Sequence, residues 1–195
     1  MAGDYAHTVR SESLPPLAAE DHVCAGCSLS YADITPEHAV ATITALPADV
    51  RAAVLAVPLS DCSIRLSATT WSVTEYVCHV RDVYITYTIR LHRTRVEDRP
   101  SLEPMYNNLR ARRFRYNERD AAAVLDELGA AVVGFCDEIA RTQDWQRVAT
   151  RLPGEERTAL WLVRQATHEG LHHLADIRHT GSQVSQPTDE GLTER

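Results

Sequence analysis

The sequence predicts an all-α protein built as a four-helix bundle. Apolar residues recur at helical spacing in four separate segments, three of the four open on a capping residue, and no segment reads convincingly as a strand. A long connection between the second and third helices points to a crossover rather than a plain up-down meander. At 195 residues the chain is long enough for one domain with a sizeable core.

Residues 1–20 are rich in Gly, Ser, acidic residues and proline (Pro15-Pro16), and read as disordered. A short segment follows, His22-Val23-Cys24-Ala25-Gly26-Cys27. The first helix is expected over about 36–56, with Thr35 as N-cap and Pro36 at N1, and Pro47 is expected to break or kink it. Residues 58–70 are polar and turn-rich. The second helix is expected over about 73–96 behind Ser72, with Tyr76, Val80, Val83, Tyr87 and Leu91 on one stripe.

Residues 98–118 form the long connection, with Pro100 and Pro104 inside it and room for a short helix near 107–114. Asp120 caps the third helix, whose stripe is Val124, Leu125, Leu128, Val132, Phe135 and Ile139. A loop through Trp145 and Pro153-Gly154 leads to the fourth helix, expected over about 157–179 and stopped by Gly181. The domain therefore reads as 21–180, with a disordered tail over 181–195.

Composition excludes several classes. The net charge of −7 repels nucleic acid and anionic membrane. No apolar run has the length of a transmembrane helix, and the N-terminal segment lacks the apolar core of a signal peptide. Five cysteines, an odd count without a secretion signal, fit reduced thiols in a cytoplasmic protein. All 20 basic residues are Arg, which suits a GC-rich bacterial genome. The run from Arg110 to Tyr116 is basic with interleaved aromatics, but the acidic balance favours a solvated face or an anion-binding lip over a nucleic-acid surface.

The chemistry concentrates in His168-Glu169-Gly170-Leu171-His172. Two imidazoles at i,i+4 share a helix face and suit a divalent metal. The string also matches HExxH of the zinc proteases. A metzincin would carry Gly and His where this chain has Ala175 and Arg178, and only Glu190 and Glu194, in the polar tail, remain for the other zincin type. The protease reading fails on that missing ligand. His79, on the apolar-rich second helix, is the best third ligand, so His79, His168 and His172 are the candidate metal set. Three imidazoles leave positions open, as catalytic zinc requires. His173 is turned away from the His168–His172 row and reads as a supporting or surface residue. Cys24 and Cys27 form one CxxC; a zinc knuckle needs two further ligands, and His22 supplies at most one, so a structural and a redox role both stay open.

Trp71-Ser72, Glu75-Tyr76, Cys78-His79-Val80-Arg81-Asp82 and His168 to Leu174 together resemble the DinB-like superfamily. The similarity is closest to the actinobacterial branch of mycothiol-dependent maleylpyruvate isomerases and mycothiol S-transferases, and it covers roughly 24–180. Cys24-Ala25-Gly26-Cys27 is similar to a segment that opens many members of that branch. The resemblance implies a DinB-like four-helix bundle, a divalent metal on three His, and a low-molecular-weight thiol such as mycothiol as cosubstrate.

On that footing a metal-held thiolate would attack a small electrophilic substrate, by S-transfer or isomerisation. Zinc is the default ion, and nickel and iron(II) suit imidazole too. Glu169 and Asp82 are candidate catalytic residues, able to orient a ligand ring or relay a proton. Arg81 and Arg164 are candidates to hold carboxylates, and Tyr106, Asn107 and Asn108 to line the pocket mouth. A thiol-independent metallohydrolase and a non-catalytic metal-binding stress protein remain as alternatives, and exposed helix faces leave room for a homodimer.

Overall fold

The computed structural model describes residues 14–185. Its elements are α1 (Pro36–Leu55), α2 (Val73–Val96), α3 (Asn107–Arg113), α4 (Ala121–Arg141), β1 (Val148–Thr150), β2 (Glu156–Thr158) and α5 (Ala159–Val184). The four long helices make the expected bundle, and α3 is the short helix expected in the crossover. The tail over 186–195 and most of the N-terminal segment expected to be disordered lie outside the described residues.

Caps set where the helices begin. Thr35 accepts from the His38 N–H, Asp120 from Ala122 and Thr158 from Trp161. Ser72 forms a full capping box with Glu75, and Arg65 pairs with the buried Glu75 carboxylate, fastening the preceding loop. In α1 the helix runs through Pro47 without a break, because Ile43 and Val50 on either side are both buried in the same core.

The helices pack so that α1 touches α4 and α5, and α2 touches α4 and α5. Consecutive helices α1 and α2 therefore stand across the bundle from one another. That arrangement demands the long connection over 56–72, whereas 97–120 joins α2 to α4, which pack directly against each other. Tyr84, Leu128, Phe135, Trp161 and Ile177 fill the centre, all fully buried.

Three further features depart from the sequence expectation. Two three-residue strands form an antiparallel hairpin, Val148 opposite Thr158, just before α5. Segments this short carry no period that a sequence pattern can show. The crossover is stitched to this hairpin by Leu102 N–H to Thr150 O (2.7 Å) and Thr150 N–H to Pro100 O (2.9 Å). Residues 14–20 are also ordered against it: Arg157 donates to the carbonyls of Leu17 and Ala18, and Glu20 accepts from Thr158. Finally, α5 continues through Gly181 to Val184, because Gly181 is buried against Val57 and leaves no room for a Cβ. It serves helix packing rather than termination. Among the described residues no helix is long and apolar enough to cross a membrane.

Candidate metal centre

The site forms where α2 meets α5. Ser72 fixes the start of α2, and His79, two turns in, faces α5 with 1% of its surface exposed. On α5, Gly170 lets the helix backbone approach closely. A Cβ there would lie 2.6 Å from Leu46 Cδ2 and would collide with the Tyr84 hydroxyl. This contact fixes how α5 is rotated, and so which residues point at His79.

The residues that meet His79 are Glu169 and His173. Glu169 Oε2 lies 3.3 Å from His79 Nε2 and 3.2 Å from His173 Nε2. One donor atom from each of the three lies within 4.8 Å of the others. Supporting groups hold each ligand in place. Gln165 Nε2 donates to Glu169 Oε1 at 2.7 Å, and His173 Nδ1 donates to Asp176 Oδ2 at 2.8 Å. With Nδ1 committed to a carboxylate, His173 turns Nε2 toward Glu169 and His79, the usual arrangement for a metal-binding imidazole. Trp71 lies against the His79 ring at 5.0 Å and Tyr76 against His173 at 5.4 Å.

The electrostatics follow from these contacts. Burial opposes ionisation of Glu169, but hydrogen bonds from His173 and His79 outweigh it and hold the carboxyl well below the usual range. Burial likewise opposes charge on His173, yet the Asp176 and Glu169 carboxylates push it up to about 9. Burial pulls His79 below the ordinary histidine value. Two imidazoles and a carboxylate are a three-ligand set that leaves positions open for a substrate. The donor chemistry and the backed ring fit a divalent cation.

The expected set of three histidines is thus divided. The structure does not bring His168 and His172 to His79. It places them with Cys24 and Cys27. Each residue of a helix turns about 100°, so Glu169–His173 and His168–His172 are two i,i+4 rows one step apart. Counting imidazoles favours the second row; the packing at Gly170 selects the first. His173, read as a supporting residue, meets His79, and Glu169 stands between the two rings.

The centre opens onto a cavity of about 690 Å³ whose lining includes Trp71, His79, Tyr87, Arg90, His168 and Glu169. Four buried polar atoms on its wall have no partner among the described residues: His79 Nδ1, Arg90 Nε, Asn107 Oδ1 and His168 Nε2. Tyr106, Asn107 and Asn108 line it. Arg81, Arg164 and Asp82 do not. Arg81 pairs with Asp82 and Glu127, and Arg164 Nε donates to Ile34 O. Asp82 is buried and held by Arg81, Arg110 and the Tyr116 hydroxyl; burial opposes its ionisation, but the Tyr116 and Arg110 hydrogen bonds keep its carboxyl below the usual range. It ties the crossover to α2. The basic run contributes one structural arginine, Arg110, while Arg115 pairs with Glu118. Sequence reasoning missed Arg90 and Tyr87, which carry no motif.

A family model described as the DinB superfamily matches residues 42–177. Among solved structures the chain is similar to YfiT from Bacillus subtilis, described as "a probable metal-dependent hydrolase with an unusual four-helix bundle topology". The TM-score is 0.72 at 16% identity, covering 80% of this chain and 92% of YfiT. At that identity the likeness shows the fold. No curated protein matches the sequence.

Proposed function

The chain belongs to the DinB superfamily, and on that premise we propose that it is a divalent-metal-dependent enzyme. In this reading a low-molecular-weight thiol such as mycothiol is transferred to a small electrophilic metabolite, or assists its isomerisation. The observation that carries the proposal is the His79–Glu169–His173 set, open on one side to a roomy cavity. A cavity of about 690 Å³ accommodates a small thiol and a second small molecule together.

A divalent cation bound by His79, Glu169 and His173 supplies Lewis acidity that lowers the pKa of a thiol or water drawn to its open side. Zinc suits the donor set, and nickel or iron(II) are compatible with it. The chain's own residues do the rest. Gln165 holds the Glu169 carboxylate in one orientation, and Asp176 fixes the His173 ring. Arg90 Nε and Asn107 Oδ1 offer a charged donor and an acceptor with no protein partner, suited to the polar end of a substrate. Trp71, Val83 and Tyr87 form an apolar wall that limits water.

A second reading keeps the same centre and replaces the thiol with water. It is favoured by the likeness to YfiT, a probable metal-dependent hydrolase. The two separate in one experiment. Purified protein is analysed for metal, then assayed for consumption of mycothiol, and of a simpler thiol, against an electrophilic aryl halide and a thioester or amide panel. His79→Ala and His173→Ala should each lose one equivalent of metal relative to wild type, with the activity. Thiol-dependent turnover supports the first reading, and thiol-independent hydrolysis the second. Unchanged metal content in both variants overturns the centre itself.

A further inference from the structure

The second i,i+4 row on α5 faces a built constellation of its own. Residues 22–31 form a small hairpin, closed by an antiparallel bridge between Val23 and Ser30 and by Tyr31 N–H to His22 O at 2.9 Å. Cys24 and Cys27 lie in its turn, where Cys24 N–H donates to Leu29 O and Ser28 N–H to Cys24 O. Ser28 takes a left-handed φ of 59°, which lets the chain reverse tightly. Both cysteines are free thiols.

This turn sits directly on α5. Cys24 Sγ is 3.6 Å from His172 Nδ1, and donor atoms of Cys24, Cys27, His168 and His172 all lie within 4.8 Å of one another. With bond lengths of about 2.3 Å to sulfur and 2.0–2.1 Å to nitrogen, a tetrahedral zinc has sulfur–nitrogen edges of about 3.6 Å. The spacing is that of a metal shell without its metal–ligand contraction. His168 adds an independent observation. Its Nδ1 is engaged by the Tyr31 hydroxyl at 3.1 Å, while its buried Nε2 has no partner. A buried imidazole nitrogen left unpaired is costly unless something binds it. Tyr31 in turn donates to Gln165 at 2.6 Å, and His172 Nε2 lies 3.8 Å from Asp176, so both rings are oriented from outside. At Gly26 a Cβ would come 3.0 Å from His172 Cε1, so the turn lies close against the ring and a side chain there would press on it.

We infer that Cys24, Cys27, His168 and His172 form a closed, four-ligand zinc site that fastens the N-terminal hairpin to α5. Four protein ligands leave no open position, which marks a structural site rather than a catalytic one. A redox dithiol needs only its two sulfurs and gives no reason for two imidazole nitrogens aimed at them. The clamp has a consequence for the neighbouring centre. Leu14 to Ala18 and Tyr31 form one wall of the cavity, and His168 is adjacent to Glu169 in sequence. Fastening the hairpin therefore sets that wall against the reactive row.

The experiment uses the full chain, stripped with a chelator and titrated with Co(II). Wild type should develop a near-ultraviolet thiolate-to-cobalt charge-transfer band and the intense visible absorption of a tetrahedral ion, saturating at one equivalent. Zinc loading should protect two thiols from an aromatic disulfide reagent, and stripping should expose them. Cys24→Ser should remove the band and one equivalent of zinc while retaining metal on His79, Glu169 and His173. His79→Ala should do the reverse, so loss of either centre is read separately. The proposal is overturned by cobalt-loaded wild type without a thiolate band, by a band that survives Cys24→Ser, or by a Cys24–Cys27 disulfide in zinc-loaded protein. The wild-type spectrum and thiol count decide the matter even if the variant does not fold.

Discussion

The Glu169 carboxylate reaches across the α2–α5 interface and sits between two imidazoles, with Oε2 3.3 Å from His79 Nε2. Its other oxygen is held by Gln165. A carboxylate placed this way offers its charge to both rings. Glu169→Gln keeps the shape and removes the charge. We expect that variant to fold, to lose one equivalent of metal and to lose turnover; metal analysis with circular dichroism checks this, and full metal retention would contradict it.

Asp176 acts through His173. Asp176→Asn weakens the hydrogen bond that fixes the Nδ1 proton, and supporting-group changes of this kind lower metal affinity about 10- to 100-fold. Competition with a chromophoric chelator measures the change. An affinity within twofold of wild type would show that the His173 ring is held by packing alone.

Gly170→Ala forces a methyl group against Leu46 and Tyr84. Overpacking of this kind costs about 2 kcal/mol, and in a chain of this size each kcal/mol lowers Tm by about 2–4 °C. The same change should loosen metal binding, because it rotates or lifts α5 away from His79. Thermal denaturation of metal-free and loaded protein separates the two effects.

Asp82→Asn tests a residue that the sequence offered as catalytic and that the structure places in an ion-pair network. Its folded-state value is depressed below the unfolded value of about 3.9. The carboxylate therefore contributes stability that is fully present above about pH 3.9 and is lost as the pH falls through the depressed folded value. At pH 7 the variant should be less stable by about 3 kcal/mol, with Arg81 and Arg110 left without their partner. The gap should close in acid, and metal content should stay at the wild-type level. Urea denaturation across pH 3–7 gives the curve.

Arg90 lines the cavity with a buried Nε that no group among the described residues accepts. Arg90→Met keeps the bulk and removes the charge. A hydrogen bond to a charged group is worth about 1.5–3 kcal/mol, so KM should rise at least tenfold with little change in kcat. A fall in kcat at constant KM would place Arg90 at the reacting atoms instead.

The helices were legible because each long one has both a stripe and a start. Ser72 with Glu75, Asp120 before Ala121, and Thr35 before Pro36 are local signals. The ordered run over 14–20 was not legible, because it is held by Arg157 and Thr158, far away in sequence. The site was legible as a region, since His79 and the 168–173 segment were both singled out. Choosing between two rows one residue apart depends on the rotation of α5, which Gly170, Leu46 and Tyr84 set together. That is a three-helix property, and no single segment encodes it. Cys24 and Cys27 stay open in the sequence because the reading pairs His168 and His172 with His79 instead.

Cys24 and His172 are 148 residues apart, and His79 and Glu169 are 90 apart. Every donor pair that joins two segments has α5 as one member. As the chain leaves the ribosome, the Cys24–Cys27 turn emerges with two of the four donors of one set and α2 with one of the three of the other, and nothing to complete them. Neither set can close until α5 has emerged and docked. On the proposed assignments metal capture is a late step, and an ion held at either place would report that α5 has docked.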